Sequence, residues 1–385
     1  MATQTMRHLS IEPALIEQVL GSWQTESPEM GVIALLPEAE KDKLPLLQMA
    51  CRARNVPLAG GIFPALVVHE GFSTEGVWLL RLDQAPPAFL IPHLNAGEPD
   101  AASTIAQTIA TALPTAAANT TKPTLFLLFD GLVPNIATIL DDLYLHLADR
   151  VNYAGVNAGS ETFQPMPCLF DHECLIGDGV LALLLSGRST TVLGHGYPAP
   201  QRAMTATATV GNQVISIDWR PAFDVYQEII KSEYGIELTA DNFYQYAVHF
   251  PFGILRANQE VVVRIPVALT EDGSLYCVGE VPENAILVLL RAPEANAGQC
   301  IGQVSQSLIA ANGSLHEREL LTFYCAGRRM HLGSGADTEL AALVTLTGVT
   351  HMAGALSLGE IGSTHAWGYP LFHNATLVCT PWQGI

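Results

Sequence analysis

The sequence is poor in positive charge. Of its 385 residues, 18 are Lys or Arg and 37 are Asp or Glu, which gives a formal net charge of −19 at pH 7. Nucleic acids and anionic lipid surfaces bind proteins through clustered Lys and Arg side chains that displace counterions. The charge balance therefore argues against both kinds of partner.

Long apolar runs and paired cysteines are also missing. No segment approaches the roughly 20 consecutive apolar residues that span a bilayer, so we expect no membrane insertion. Residues 1–20 include Glu12 and Glu17 and predict an amphipathic helix, not a signal peptide. The seven cysteines are an odd number without a CxxC pair, which is typical of reduced thiols. These features predict a soluble cytoplasmic protein.

The motifs of common enzyme classes are absent as well. The sequence has no GxxxxGK[ST] phosphate loop, no HExxH and no GxSxG. Gly333-Ser334-Gly335 begins a dinucleotide fingerprint, but no third glycine follows at the required position. CxxCH, the usual site of covalent haem attachment, is missing too. Without an assembled nucleophile, base and orienting group, the sequence predicts a protein that is not an enzyme.

What the sequence does have is the composition of a folded chain, with 49% apolar and 14% charged residues. Its length exceeds that of one ordinary core and indicates two or three domains. Strands and helices alternate as far as a helix ending near Tyr234, and a second α/β run follows. We predict a mixed α/β (α+β) fold of two domains, with largely mixed or antiparallel sheets flanked by helices. The predicted segments are an N-terminal helix (1–30), a first domain (31–235) and a second domain (236–385).

Apolar periodicity and turn residues place the elements. Helices are predicted at residues 9–21 (with Ser10 as N-cap), 40–54, 101–113, 134–150, 221–234 and 294–311. Strands are predicted at residues 31–37, 124–132, 204–210, 214–219, 261–269, 275–281, 285–292 and 320–327. The segment 95–122 is otherwise predicted as loop.

One pattern recurs along the chain. A helix leads into a strand that ends in Ala-Gly, and a return strand follows. The pattern occurs at Ala59-Gly60, at Ala154-Gly155 and at Ala353-Gly354. The first two occurrences are compatible equally with an internal duplication and with a chance match of short apolar patterns, and the third is a weaker match. A glycine at the end of a strand lets the backbone turn or approach another group closely.

The stretch Phe243–Leu255 concentrates aromatic side chains around one histidine, His249. An imidazole among aromatic rings between two domains suits a flat apolar cofactor or a small ligand. The alternative is a buried histidine that is simply hydrogen-bonded within the core. If this stretch is a strand, Ala247, His249 and Pro251 face one side, and Val248 and Phe250 face the other.

Many short motifs, taken in order, resemble the family of FIST-domain proteins. The N-terminal part of the resemblance lies in Gly60–Pro64, Gly76–Leu82, Phe129–Leu132, Val151–Gly155, Gly177–Val180, Gly194–Pro198, Gly211-Asn212, Ile217-Asp218, Pro221-Ala222 and Val225-Tyr226. The C-terminal part lies in Pro251–Ile254, Asp272-Gly273, Cys325, Arg328, Gly359–Gly362 and Phe372–Asn374. The resemblance runs from about residue 31 to residue 380. Ala199-Pro200, where a glycine is expected, departs from the pattern in one turn.

The resemblance implies a sensory, non-catalytic role in bacteria. It implies a two-part sensor without a fused output domain, which signals to a separate histidine kinase, diguanylate cyclase or phosphodiesterase. The layout is similar to the branch of the family that binds haem and senses nitric oxide. A homodimer is compatible with this role.

Under this resemblance a haem requires an apolar slot, an axial ligand and partners for its propionates. We predict His249 as the iron ligand, with His195 and His373 as alternatives. The other candidate cofactor-binding residues are Tyr246, Phe250 and Phe252 along the slot, and Arg256 or Arg328 at the propionates. Each of these side chains also has an ordinary structural interpretation, as a core, cap or surface residue.

A second hypothesis is a sensor that binds a small metabolite, such as an amino acid, without haem. Its site would use the glycine-rich strand ends and Glu360, which is flanked by glycine and could accept a hydrogen bond from an amide ligand. A turn residue is the plain alternative for Glu360.

Overall fold

The computed structural model of the protein describes residues 5–94, 101–113, 122–186, 191–198, 202–257, 260–291, 298–363 and 369–382. Ala199-Pro200 and most of the loop predicted at 95–122 lie outside these residues. The helices of the described part are α1 (Pro13–Glu26), α2 (Leu44–Ala53), α3 (Ala101–Ala110), α4 (Ile136–Leu147), α5 (Ala222–Tyr234), α6 (Phe243–Ala247), α7 (Gln299–Asn312), α8 (Ala326–Leu332) and α9 (Gly335–Thr347). Short 3-10 helices cover Glu38–Lys43 and Ala148–Arg150.

Short strands make up most of the remaining regular structure. In the first half of the chain they are β1 (Met6–Leu9), β2 (Gly31–Pro37), β3 (Leu58–Phe63), β4 (Leu66–Val68), β5 (Gly71–Ser73), β6 (Val77–Leu82), β7 (Ala88–Pro92), β8 (Thr124–Asp130), β9 (Asn152–Ala158), β10 (Leu169–Asp171), β11 (Leu175–Ile176), β12 (Gly179–Leu185) and β13 (Val192–Gly194). In the second half they are β14 (Ala203–Val210), β15 (Gln213–Ile217), β16 (Arg220–Pro221), β17 (Phe252–Leu255), β18 (Val261–Arg264), β19 (Pro266–Leu269), β20 (Leu275–Cys277), β21 (Ile286–Leu289), β22 (Glu319–Cys325), β23 (His351–Ser357), β24 (Glu360–Gly362), β25 (Leu371–His373) and β26 (Leu377–Trp382).

Three parallel strand pairs organise the core: β2 with β3, β8 with β9, and β22 with β23. The helices that connect each pair are α2, α4, and α8 with α9. In every case a return strand (β6, β12 or β26) lies antiparallel to the first strand of the pair. The core is therefore built from three copies of one unit: copy 1 (β1–β6 with α1 and α2), copy 2 (β7–β12 with α3 and α4) and copy 3 (β13 and β22–β26 with α7–α9).

The same glycine recurs at the same place in each copy. Gly60, Gly155 and Gly354 lie on the second strand of the parallel pair, and a Cβ atom there would stand 2.2, 2.2 and 1.6 Å from a carbonyl oxygen of the first strand. Only glycine tolerates such an approach. The repeated Ala-Gly pattern of the sequence is thereby confirmed as an internal repeat, and the third copy belongs to it as well.

The copies exchange strands around a closed ring. Between its second strand and its return strand, each copy carries a two-stranded hairpin, which we call the arm: β4–β5, β10–β11 and β24–β25. The arm of copy 2 pairs with β3 of copy 1, the arm of copy 3 with β9 of copy 2, and the arm of copy 1 with β23 of copy 3. All three core sheets consequently have the same strand order: β1-β6-β2-β3-β10-β11, β7-β12-β8-β9-β24-β25 and β13-β26-β22-β23-β4-β5.

The inner faces of the three sheets share one hydrophobic core. The Phe323 ring of copy 3 lies 5.9 Å from that of Phe63 in copy 1 and 6.1 Å from that of Phe126 in copy 2, measured between centroids. An apolar central cavity of about 40 Å³ is lined by residues of all three copies, among them Ile33 and Trp382. Helix pairs α1/α2, α3/α4 and α7/α9 pack together on the outside.

Copy 3 is interrupted between β13 and α7 by the segment β14–β21 with α5 and α6, which we call the insert. Its strands form one further sheet in the order β18-β17-β21-β14-β15-β20-β19, with β16 beside β15. Tyr226, Phe243 and Phe252 fill its own core. Gly235 ends α5 in the left-handed conformation (φ 69°), as the sequence predicts.

The predicted mixed α/β architecture is confirmed, as are the buried strand at 31–37 and the hairpin at 204–219. The boundaries 1–30, 31–235 and 236–385 stay a prediction, and strand pairs β4–β23, β9–β24 and β13–β26 run across residue 235. None of the helices in the described part of the chain combines the length and apolar character that crossing a bilayer requires.

Two predicted elements are wrong. Residues 6–9 form a strand that extends the edge of β6, so the first helix begins later, with Glu12 and not Ser10 as N-cap and Pro13 in its first turn. Residues 243–247 form the short helix α6, and the strand begins only at Phe252. The alternation expected for Ala247, His249 and Pro251 therefore does not apply.

Candidate functional site

The three copies meet at three corners, each formed by the end of a second strand and the arm that pairs with it. The position two residues after the repeated glycine shows how the corners differ. It is Ile62 in copy 1 and Leu356 in copy 3, but Asn157 in copy 2. Asn157 is 0% exposed, and neither its Oδ1 nor its Nδ2 atom has a hydrogen-bond partner among the described residues.

The arm at this corner differs in the same way. Each arm has one residue that pairs with the first residue after the repeated glycine. This arm residue is Leu169 at the copy 1 corner and Leu66 at the copy 3 corner, but Glu360 at the copy 2 corner. Glu360 is completely buried and accepts hydrogen bonds from the hydroxyls of Ser357 and Thr376, both at 2.5 Å. Burial raises the pKa of its carboxyl to about 7, and these hydroxyl donors offset part of that rise.

His373 is the cross-strand partner of Glu360. The corresponding arm residues are Ile176 and Ser73. His373 is 0% exposed, and neither ring nitrogen has a hydrogen-bond partner within the described ranges. Burial, followed by nearby positive charge, lowers its pKa to about 3, so the ring is neutral at physiological pH. The copy 2 corner thus combines three buried polar side chains where the other corners are mainly apolar.

The insert covers this corner and leaves two hollows against it. The first, which we call the Met330 cleft, has a volume of about 80 Å³. Its walls come from both the insert and the core: Glu161, Phe163, Tyr244, Ala247, Val248, Ile265, Pro266, Val267, Val278, Cys325, Ala326, Gly327, Met330, Leu358 and Asn374. The lining is mostly apolar, but Asn374 is 1% exposed and its Oδ1 has no hydrogen-bond partner in the described part of the chain.

The second hollow, which we call the Asn157 pocket, has a volume of about 100 Å³. Its lining residues are Gly131, Leu132, Val133, Pro134, Asn135, Ile136, Asn157, Phe163, Asn212, Val267, Tyr276, Cys277, Val278, Gly279 and Phe372. It shares Phe163, Val267 and Val278 with the Met330 cleft, so the two hollows are neighbours. Both lie near the carboxyl ends of parallel strands, where open α/β sheets usually bind ligands.

The predicted iron ligand His249 follows α6 and is half-buried. Its Nδ1 atom is in hydrogen-bond contact with Nδ1 of His331, and the two rings are nearly perpendicular with centroids 4.7 Å apart. Burial lowers the pKa of His249. Its neighbours Ala247 and Val248, and the Met330 that precedes His331, line the Met330 cleft. The histidine pair therefore lies beside that cleft.

The aromatic residues predicted to surround His249 lie in the core of the insert instead. Phe250 packs on Tyr234 at 4.8 Å and Phe252 on Tyr226 at 5.3 Å, between ring centroids. Tyr246 is partly buried against the same core. None of Tyr246, Phe250 and Phe252 is among the residues that line the Met330 cleft.

His195 and Arg328 belong to one buried contact. The carbonyl of His195 accepts a hydrogen bond from Arg328 at 2.7 Å, and its Nδ1 accepts one from the backbone N–H of Tyr197 at 2.9 Å. Burial, with the Arg328 charge, lowers the pKa of His195 to about 4. Arg328 is 1% exposed and forms a two-point ion pair with Glu339 at 2.8 and 2.7 Å.

Arg256, the other predicted propionate partner, is exposed, and its guanidinium lies 6.0 Å from the ring centroid of Tyr369.

Of the predicted site residues, the structure brings Glu360 and His373 together at the copy 2 corner and places His249 beside the adjoining cleft. Sequence reasoning missed Asn157 as a site residue. An alignment of the three copies on their repeated glycines reveals Asn157, because the equivalent residues of the other two copies are apolar.

Apart from Glu161 in the wall of the Met330 cleft, the polar side chains that line the two hollows are uncharged. No group of three or more His, Cys, Asp or Glu side chains in the described ranges could hold a metal ion. The cysteines, all seven of which are described, are free, and Cys325 lies in the wall of the Met330 cleft with its thiol pKa raised by burial. The carboxamides of Asn157, Asn374 and Asn212 each have an oxygen without a hydrogen-bond partner among the described residues, and Asn135 adds a fourth carboxamide to the lining.

Two family models match the chain. The FIST N domain matches residues 32–220 and the FIST C domain matches residues 222–363, so that together they cover most of the sequence. Comparison with curated proteins finds no match.

Proposed function

This chain belongs to the family of FIST-domain proteins, which are signal-transduction sensors, and we propose that it senses a ligand bound between its insert and the copy 2 corner. The observation that carries this proposal is the Met330 cleft. Its walls come from two parts of the chain, so a ligand in it contacts both and can bias their arrangement.

The first candidate ligand is a haem held through His249, with nitric oxide as the signal. Haem supplies an iron atom that binds nitric oxide. His249 would hold that iron through Nε2, since Nδ1 is engaged by His331. A ligating imidazole usually has its second nitrogen fixed in this way, which sets the orientation of the ring. Val248, Val267 and Met330 supply apolar wall, but the cleft of about 80 Å³ would have to open before it could admit a porphyrin.

The propionate partners fit less well. Arg328 is occupied by Glu339 and by backbone carbonyls and is not free to bind a propionate. Arg256 is exposed and stays the candidate for that role. The residues present therefore fit haem at the imidazole and in the apolar character of the wall, and do not fit it at Arg328 or in the volume of the cleft.

The signal would leave the cleft through contacts that join the insert to the core. Glu280 of the insert accepts a hydrogen bond from the N–H of Ala137 in the first turn of α4, at 2.7 Å. Arg264 of the insert donates to the carbonyl of Phe372 on the arm of copy 3, at 2.8 Å. A shift of the insert would change both contacts, and a separate histidine kinase, diguanylate cyclase or phosphodiesterase would detect the new surface.

The visible absorption spectrum of the purified protein, with and without added haem, tests this candidate. We expect a Soret band that shifts when nitric oxide is added. In His249→Ala we expect the band to be lost or displaced. His172→Ala, which changes a partly exposed histidine of copy 2, is the matched control and should keep the wild-type spectrum. The absence of a Soret band, or an unchanged band in His249→Ala, contradicts the assignment.

The second candidate is a small metabolite, such as an amino acid, bound without haem. The observation that favours it is the set of polar atoms without partners at the copy 2 corner, on Asn157, His373 and Asn374. A ligand that binds only the native state raises the melting temperature, so thermal shift against a metabolite panel tests this candidate.

A further inference from the structure

We propose that the Asn157 pocket binds an uncharged planar amide, a ligand that presents a hydrogen-bond donor and an acceptor side by side. This inference rests on the second candidate function above and names the class of its ligand. It concerns residues other than the histidine pair, so it does not depend on haem.

The repeat supplies the first argument. Ile62 and Leu356 occupy the position of Asn157 in the other copies and are buried without difficulty. The backbone of the fold therefore does not require a polar side chain there. Leaving a buried amide without hydrogen bonds costs about 1–3 kcal/mol of stability. A buried carboxamide without hydrogen-bond partners occurs at one of the three corners, and a ligand that completes its hydrogen bonds explains it.

The walls of the pocket supply the second argument. Asn157 comes from copy 2, and Asn212, whose Oδ1 also has no partner within the described ranges, comes from the insert. The rings of Phe163, Phe372 and Tyr276 line the same space. Aromatic walls favour a flat ligand, and two carboxamides from different parts of the chain favour one that both donates and accepts.

Charge supplies the third argument. None of the residues that line the Asn157 pocket is charged. Three ionic groups beside lining residues are engaged elsewhere: Glu280 accepts from the first turn of α4, Arg264 donates to backbone carbonyls, and Asp130 accepts from the N–H groups of Leu132 and Asp178. A charged ligand would lose its hydration without an ionic partner, whereas a neutral amide would not meet that penalty.

An amide satisfies these requirements directly. The Asn157 side chain can donate through Nδ2 and accept through Oδ1 at the same time. A planar amide offers the complementary pair, in the same manner in which asparagine forms two hydrogen bonds with the edge of adenine.

The test uses haem-free full-length protein and NMR detection of side-chain amide groups. The probes are benzamide, nicotinamide and acetamide, with benzoate and toluene as matched molecules that lack the neutral amide. We expect at least one amide to shift the Asn157 side-chain signal saturably, and benzoate and toluene to leave it unchanged. Asn157→Leu installs the residue of copy 3 and removes the Asn157 signal itself. Binding to this variant is therefore followed through the other side-chain amides of the pocket, and we expect their shifts to disappear. Asn152→Leu, on an exposed residue of the same strand, should retain them.

Two results would overturn the proposal. One is that no amide binds, or that benzoate and toluene bind equally well, which indicates a nonspecific cavity. The other is that Asn157→Leu is folded and still binds the amides. Should Asn157→Leu fail to fold, Asn157→Asp serves instead, since its carboxylate removes the paired donor and must weaken amide binding. The Soret experiment is independent of these outcomes, so failure of the haem assignment and failure of this proposal are distinguishable.

Discussion

Two of the corners have equivalent strand pairing and different side chains: the one where the arm of copy 2 meets copy 1, and the one where the arm of copy 3 meets copy 2. The first is filled by Ile62, Leu169 and Ile176, and the second holds Asn157, Glu360 and His373. The apolar corner shows what the fold needs, because it closes without polar groups. Whatever the polar corner adds is therefore not needed for folding, and it lies under the insert, where both hollows are found.

The largest effect is expected when the polar corner is copied onto the apolar one. Leu169→Glu places a carboxyl at the position of Glu360, but without the hydroxyls of Ser357 and Thr376. We expect the variant to lose about 4 kcal/mol of unfolding free energy or to fail to fold. Leu175→Glu, on an exposed residue of the same arm, should change stability by less than about 0.5 kcal/mol. Urea denaturation measures both; equal effects would mean that the apolar corner is not sealed.

A substitution at the repeated glycine tests whether the three copies share the same close approach between strands. In Gly354→Ala the new Cβ would stand 1.6 Å from a backbone oxygen of Thr322. We expect a loss of about 3 kcal/mol, since the strands must separate. In Gly302→Ala, within α7, the added methyl meets nothing within 4 Å, and we expect no loss or a small gain. A tolerated Gly354→Ala would contradict the close approach on which the repeat is aligned.

The polar corner should also respond to pH in a way that the apolar corner cannot. The Glu360 carboxyl has a pKa of about 7 in the folded protein against 4.5 as the ordinary value. Between these values the folded state binds more protons than the unfolded state, so this group's contribution to stability falls as pH rises through the window. Glu360→Gln should therefore gain stability relative to wild type between pH 4.5 and pH 8, by about 3 kcal/mol at most.

Urea denaturation of both proteins at pH 4.5 and pH 8 measures the change. The difference between the two proteins isolates Glu360 from His373, whose depressed pKa acts in both. Glu17→Gln, on an exposed residue of α1, is the control and should follow wild type. A difference that stays constant with pH would show that folding does not raise the pKa of Glu360.

The smallest effect is expected at Asn157. Asn157→Leu replaces a buried amide without partners by the apolar residue of copy 3, so we expect a gain of about 1 kcal/mol. Asn152→Leu, on the exposed end of the same strand, should stay within about 0.5 kcal/mol of wild type. A clear loss of stability in Asn157→Leu would mean that this side chain has a structural role, and the contrast between the corners would lose its functional meaning.

Local signals in the sequence predicted much of this fold. The fully apolar run at 31–37 indicated a buried strand, and Gly211-Asn212 indicated the turn between β14 and β15, because these features depend on neighbouring residues alone. The Ala-Gly repeat indicated the copies. The exchange of arms was not predictable, since it pairs strands such as β4 and β23 that lie far apart in the chain.

The site was predictable only in part. The sequence singles out Glu360 beside glycine, His249 among aromatic rings, and His373 as a histidine in a strand predicted to lie in the core. The environment of His249 did not follow from its neighbours, because His331 contacts it from a different segment and Phe250 and Phe252 turn into the insert. Asn157 carries no local motif and becomes visible only when the three copies are compared position by position.

The exchange of arms also determines when the chain can finish folding. β9 lacks its edge partner until β24 has been synthesised, and the β4–β5 hairpin has no sheet to join until β23 has. When the first 220 residues have emerged from the ribosome, they therefore contain an open strand edge and an unpaired hairpin. Both features favour aggregation. We expect the amino-terminal half expressed alone to require chaperones or to accumulate in inclusion bodies, and co-expression with residues 221–385 to restore solubility.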